Sequence, residues 1–501
     1  MKKNIIVSVL IGTMLSSCDN WLELDTIGQK VEENYITDLR SAVSAYNGVD
    51  KSFTNLWNEM PTVLEAMCDD AFIPKVADAN EIIPIDRLEI DFQTANNFYS
   101  TCYMGIARIN TALPYIESLK DDKGQVAVVR GQMHFMRAFF YFTLVRLYGE
   151  VPLMPKINSI EETKQPRATW EQLYEEIEND LVQATKLLPE KLDGSLGQEI
   201  GKPYRYSAYA LMADFYAYFE KWDEVIRLTD LILANPDFGK VAYKSIFHGE
   251  DALNGEDYSA LYNKEVLLDA NFGEYGKQSF TWEFTPRGYV PGKEQGYHRG
   301  IIYATTSSLN PNVTEKPSCG KPGDALLELF EPSDERFKYF WTDTYHETEG
   351  LTGTLKYNAS TMAYNGGYLN FPVYRYSEML LLKAEALNEK GEFTQALKIV
   401  NEDIRQFMNA SVLTANDKSQ VQSIIRDERR RELCFECKRF FDLNRWGIMA
   451  DYLESQDNLA GKNITPHLVE NSITKKKVFV FAFPLKEMNA NPYIKENNPG
   501  Y

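Results

Sequence analysis

Apolar residues recur every three to four positions through much of the first half of the chain. From Ala95 to Ser118, Phe98, Cys102, Ile106 and Ile109 share one helical face, with Tyr99 and Tyr103 beside it. From Gln125 to Tyr148, Met133, Met136, Phe140, Leu144 and Leu147 repeat the pattern, and Gly149 and Pro152 stop the helix. Thr169 is placed to cap a helix over Trp170 to Leu188. Gln172, three residues on, can complete a capping box, and Pro189 ends the helix.

Two later segments read as helix-turn-helix pairs of the tetratricopeptide kind. The first, Tyr206 to Asn235, carries Ala210, Ala213 and Ala217, breaks near Glu220 to Asp223, and resumes from Val225 to Leu233. The second, Ser377 to Phe407, carries Leu380, Leu381, Leu382, Ala384, Ala386 and Leu387, turns at Lys390-Gly391-Glu392-Phe393, and resumes from Ala396 to Ile404. Small residues on the first helix of each pair let the second approach closely. Neither pair can bury its apolar face alone, so both are expected to stack with neighbours; generic amphipathic helices packed in pairs are the simpler alternative. Between the pairs, from about Phe238 to Pro372, Gly, Pro, Asn, Thr and Ser rise and helical periods vanish. This stretch is expected to hold loops, short strands and short helices, where binding residues concentrate.

The N-terminus has its own pattern. Lys2 and Lys3 precede an apolar run of 11 residues, Ile5 to Leu15. A spanning helix needs roughly 20 apolar residues, so the run reads as a secretory signal peptide. It ends in Leu15-Ser16-Ser17-Cys18, which looks like a lipobox with Cys18 as the acylated residue. Several acyl chains on one terminus anchor stably where a single chain would not. Asp19, Glu23 and Asp25 resemble the acidic export signals of some surface lipoproteins. The expected organisation is thus a signal peptide (1–17), a helical region (18–237), an irregular insert (238–371) and a second helical region (372–501).

Composition narrows the function. Net charge is −19, which disfavours nucleic acid and anionic lipid as partners. Aromatic residues are abundant, with 30 Tyr, 27 Phe and 7 Trp; a binding surface can use some of them, although a core is the commoner home for each ring. Five cysteines remain besides Cys18: Cys68, Cys102, Cys319, Cys434 and Cys437. Five cannot all pair, and the single C-x-x-C, read as one helical face, has no second half for zinc, so buried thiols are expected. The histidines, His134, His248, His298, His346 and His467, fall in no metal-ligand spacing. No nucleophile elbow or phosphate loop is present, and no cofactor is implied. Two carboxylates about 5–10 Å apart would suffice for glycoside hydrolysis, and 72 acidic residues leave that open.

Five blocks, in order, resemble the SusD/RagB family of outer-membrane nutrient-binding lipoproteins. The first is Arg130, Phe135 and Arg137 with Ala138 to Phe142, running to Leu147-Tyr148-Gly149-Glu150-Val151-Pro152-Leu153. The second is Pro166 to Tyr174 with Ile177, Asp180, Leu181 and Ala184, and the third Pro372 to Tyr376 with Ala384 to Asn388. The fourth is Glu428, Arg429, Glu432, Leu433, Phe435 and Glu436, followed by Arg439, Asp442, Arg445 and Trp446. Phe483-Pro484, Asn491-Pro492 and Asn498 to Tyr501 close the series. His134 and Met136 depart from the usual first block, with only packing expected to change. The resemblance implies a mainly α fold, with tetratricopeptide-like pairs forming a right-handed helical scaffold. It also implies a lid-like place on a SusC-like TonB-dependent transporter, and binding of oligosaccharides, or in one branch peptides, without cleavage.

The four arginines between Arg426 and Arg431 alternate with Asp427, Glu428, Glu432 and Glu436 at helical spacing, which favours internal salt bridges over nucleic acid. A glycan site needs aromatic faces flanked by amide and charged groups. Candidates lie in the loop from Asp69 and Asp70 through Phe72 to Asn80 and Arg87, and in the insert at Tyr275, Trp282, Tyr289, Tyr297, Trp341 and Tyr345. The expected function is a lipid-anchored, outer-membrane, cell-surface glycan binder serving such a transporter. A peptide-binding relative, a secreted glycoside hydrolase and a purely structural lid are the alternatives.

Overall fold

The structure, a computed structural model, describes residues 36–72, 92–121, 123–154, 160–194, 196, 201–247, 263–272, 303–304, 325–342, 352–354, 356–357, 370–453 and 464–501. A 28-residue helix, α1 (Leu39–Ala66), opens it. Asp38 caps α1, its side chain accepting from Ser41 N at 2.8 Å while Ser41 reaches back to the cap. β1 (Ala71–Phe72), α2 (Phe92–Ser118), α3 (Gln125–Tyr148) and α4 (Trp170–Leu187) follow. The capping box expected at Thr169 and Gln172 is present. Then come α5 (Arg205–Tyr218), α6 (Trp222–Leu233), α7 (Tyr243–Phe247), β2 (Val266–Ala270), β3 (Tyr303–Ala304), β4 (Phe340–Thr342), β5 (Thr352–Thr354) and β6 (Phe371–Arg375). The chain continues through α8 (Tyr376–Glu389), α9 (Phe393–Lys398) with a π-helical extension (Ile399–Arg405), α10 (Lys418–Leu433) and α11 (Arg439–Trp446). It ends with α12 (Met449–Leu453), β7 (Leu468–Glu470), β8 (Lys477–Phe479) and α13 (Leu485–Ala490).

Each long helix packs on the next: α1 and α2 on α3, α3 on α4, α4 on α5, α5 on α6. The two expected helix pairs are α5–α6 and α8–α9. They stack directly, α6 against α8, although more than 130 sequence positions separate the start of α8 from the end of α6. Glu220 turns the first pair in a left-handed conformation (φ 57°), and Gly391 (φ 91°) turns the second. The stretch between the pairs is tied at its base, because β2 and β6 run antiparallel with Val266 opposite Arg375 and Ala270 opposite Phe371.

Sequence periodicity understates α3. Its burial is not one face but nearly the whole circumference, since α2 covers one side and α4 another. Gly105 of α2 makes that closeness possible: a Cβ there would lie 2.3 Å from the Phe140 ring. The C-terminus seals the exit of α3. Asn498 donates to Tyr148 O (2.9 Å) and Phe481 O (2.7 Å) and accepts from Arg167 (2.7 Å). Thus the first, second and fifth motif blocks meet in space, as packing rather than as a site.

Candidate functional site

The turn after α10 organises the site. α10 ends at Leu433, and Cys434 to Cys437 form a tight turn in which Phe435 (φ 61°) and Cys437 (φ 59°) are left-handed. The C-x-x-C is therefore not one helical face, as its spacing suggested. Left-handed backbone costs an L residue about 1–2 kcal/mol, so surrounding contacts must hold the turn. They are numerous. Tyr357 donates its hydroxyl to Phe435 O (2.6 Å). Lys356 Nζ donates to Cys434 O (2.7 Å), Glu432 O (3.1 Å) and Glu436 Oε1 (2.7 Å). Cys437 N donates to Glu65 Oε1 (2.6 Å) from the end of α1.

Around this turn lies a buried lattice of guanidinium and carboxylate groups. Arg375, at the end of β6, bonds Glu436 (2.7 Å), Glu265 (3.0 Å) and Glu432 (3.1 Å). Arg336 bonds Asp334 (2.7 Å), Glu428 (2.8 Å) and Glu432 (3.0 Å). Arg430 holds Asp70 (2.7 Å), and Arg439 grips both oxygens of Asp69 (2.6 Å each). Arg445 does the same for Glu385 (2.7 and 2.6 Å), which also accepts from Trp446 Nε1 (2.7 Å). Burying charge is costly, and forked, hydrogen-bonded pairs of this kind offset the cost. Burial pushes the Glu428 carboxyl up, but Arg336, Arg431 and Arg405 outweigh it and hold it down at about 2. Glu65 goes the other way: burial raises it to about 8.

Internal salt bridges were expected in this block, and Glu428–Arg431 and Asp442–Arg445 are of that local type. Most partners, however, are far away in sequence. Asp69 and Asp70, taken from the sequence as the start of a ligand loop, spend their carboxylates on Arg439 and Arg430. They are anchors.

What the lattice anchors is a set of short strands. β1 pairs antiparallel with β3, Phe72 opposite Tyr303, and β4 pairs with β5, Trp341 opposite Gly353. β3 also packs beside β5. Asp70 immediately precedes β1, Arg336 precedes β4 by four residues, and Lys356 follows β5 by two. Each of these three strands is therefore tied, within a few residues of its end, to α10 or the turn after it, and β1 also to α11.

Among the sequence candidates, Phe72 falls on β1 and Trp341 on β4. Asn80, Arg87, Tyr275, Trp282, Tyr289, Tyr297 and Tyr345 lie outside the described residues, as do Cys18 and Cys319. By connectivity the chain leaves β1 towards Asn80 and Arg87, enters β3 from Tyr297, and passes Tyr345 between β4 and β5. Tyr303, the register partner of Phe72, was missed by sequence reasoning because a two-residue strand leaves no periodic signal. Cys68, Cys102, Cys434 and Cys437 are free and buried. Among the described residues no group of three His, Cys, Asp or Glu could hold a metal ion, and no helix is long and apolar enough to cross a membrane.

A stack of helix pairs, with short strands tied to a buried ionic lattice, defines a mainly helical scaffold. The chain belongs to the SusD family, which matches residues 250–501. Residues 22–217 match a second family, described as "Starch-binding associating with outer membrane". The chain is 25% identical to SusD-like protein P2 of Formosa agariphila, over 100% of both chains. It is similar to a solved "Laminarin binding SusD-like protein" (TM-score 0.68, 20% identity, 93% of this chain and 100% of that one). It is also similar to surface glycan-binding protein A from Bacteroides uniformis (TM-score 0.70, 18% identity, 91% and 98%). These two solved relatives are named for binding, not for catalysis.

Proposed function

We propose that this protein is a cell-surface lipoprotein, tethered to the outer membrane through Cys18, that binds an oligosaccharide and passes it uncut to a SusC-like TonB-dependent transporter. The ligand is held by rings and polar groups of the loops around β1, β3, β4 and β5. Of the candidates named above, Trp282, Tyr289 and Tyr297 stack on sugar faces, and Asn80 and Arg87 bond hydroxyls. One observation carries this reading: β1, β4 and β5, which bound the segments carrying Asn80, Arg87 and Tyr345, are each fixed at one end to the same buried lattice, and β3, which follows Tyr297 in the chain, pairs with β1. The family match and the glycan-binding names of solved relatives support the ligand class.

The test is electrophoresis of lipid-free protein through gels containing single polysaccharides. The wild type is retarded in at least one gel, and Trp282→Ala, Tyr289→Ala and Tyr297→Ala combined reduce the retardation sharply, since few residues carry most of a binding energy. Unchanged retardation of that variant refutes the placement. Heat on titration with oligopeptides, and none with saccharides, refutes the ligand class in favour of a peptide-binding relative.

A further inference from the structure

A cleft lies where the α4–α5 connection, the end of α6 and strand β2 meet. It encloses about 440 Å³, within the roughly 300–1,000 Å³ typical of small-molecule sites. Tyr204, which begins α5, and Phe238, just beyond α6, both line it, with ring centroids 6.3 Å apart and planes 31° from parallel. Both rings are only part-buried. Polar groups interrupt the apolar wall. Asn235 Oδ1 accepts from Asp237 N (2.9 Å), which leaves its amide Nδ2 without a partner among the described residues. Asp269, 4% exposed, sits on β2 and accepts from Asn370 Nδ2 (2.5 Å). Acidic and basic side chains in the lining are equal in number, three and three, so the cleft selects for neither sign of charge.

We infer that this cleft is a second saccharide site, taking a short neutral stretch of the same glycan independently of the loops around β1 and β4. A contiguous aromatic patch flanked by amide and carboxyl groups matches the C–H faces and hydroxyls of a sugar. A charged ligand would gain nothing from a balanced lining, and an apolar one would leave the Asn235 amide unbonded. Two separate sites on one chain raise avidity for a long polymer without new contacts at either. Burial raises the Asp269 carboxyl to about 7, so at neutral pH it is present in part as a donor as well as an acceptor.

This inference rests on the proposed glycan-binding function, and the experiment separates the two. Lipid-free protein is titrated calorimetrically with laminarihexaose, maltohexaose, cellohexaose, xylohexaose and mannohexaose. The variants are Phe238→Ala, Asn235→Ala, and the triple alanine variant at Trp282, Tyr289 and Tyr297. The expected result is residual binding in the triple variant that falls at least about 10-fold when Phe238→Ala is added. If Phe238→Ala fails to fold, Asn235→Ala and a crystal soaked in the bound hexasaccharide decide the same point, the sugar appearing in the cleft against the Tyr204–Phe238 pair. Binding abolished in the triple variant and unchanged by Phe238→Ala or Asn235→Ala overturns the second site while leaving the proposed function intact. No binding of any of the five by the wild type overturns both.

Discussion

The guanidinium of Arg336 meets the carboxylate of Glu432 at 3.0 Å, joining positions 96 residues apart across the base of the irregular stretch. Arg336 also neutralises Glu428 and Asp334, and all four side chains are almost fully buried. Arg336→Met therefore takes the arginine from Asp334 and one of several cationic partners from each of Glu428 and Glu432. Breaking a buried pair from one side typically costs about 3–5 kcal/mol. Chemical denaturation of Arg336→Met is expected to show a loss of that order, together with weaker glycan retardation because β4 loses its anchor. Unaltered stability contradicts the anchoring role of the lattice.

Glu65 gives the lattice a pH signature. Its carboxyl is raised to about 8 by burial, against an ordinary 4.5, so folding favours its neutral form. Stability from this group is full below about pH 4.5 and is lost as pH rises towards 8. Glu428, held at about 2, acts oppositely: its contribution is present above 4.5 and is lost as pH falls towards 2. Glu65→Gln keeps an acceptor for Cys437 N and removes the titration. Its melting temperature relative to wild type is expected to rise between pH 5 and pH 8.5, and a constant difference across that range refutes the assignment.

Gly105 is a packing constraint with no part in binding. Alanine there places a methyl carbon 2.3 Å from the Phe140 ring, at the contact between α2 and α3. Overpacking of a tight core costs about 1–3 kcal/mol. Gly105→Ala is expected to lower the unfolding midpoint while leaving glycan affinity within two-fold, about 0.4 kcal/mol.

Much of the scaffold could be read from residue patterns, because helices announce themselves through a 3.6-residue period and through caps. The capping box at Thr169 and the two helix pairs are cases in point. The long α1 escaped notice, although Tyr46, Val49, Phe53 and Met60 follow the same period. What spacing could not supply is partner choice across the chain. Arg430 looks as ready to pair with Asp427 as with Asp70, and only the fold brings Asp70 to 2.7 Å. The same limit gave no sign of the arginine partners of Asp69 and Asp70, at the head of the candidate loop, and hid Tyr303. The strand cluster is built from segments of two to three residues held by distant ion pairs, so no local period marks it.

The thiols offer a check on the core. Cys68, Cys102, Cys434 and Cys437 are at most 2% exposed, and burial lifts their pKa values, Cys434 to about 12. Reactive cysteines need thiolate character and access, and these have neither. Peptide mapping after treatment with a thiol-disulfide reagent at pH 8 is expected to find all four unlabelled in native protein and labelled after denaturation. Labelling of Cys434 or Cys437 in the native state contradicts the packing of the turn after α10.

The account stands on reversible capture of a sugar chain without cleavage. The most direct measurement is calorimetric titration of the lipid-free protein with neutral oligosaccharides, with each finished titration chromatographed for chain length. A saturable heat with every oligosaccharide recovered at its starting length is the predicted result. Shortened products, or no heat with any saccharide, would contradict it.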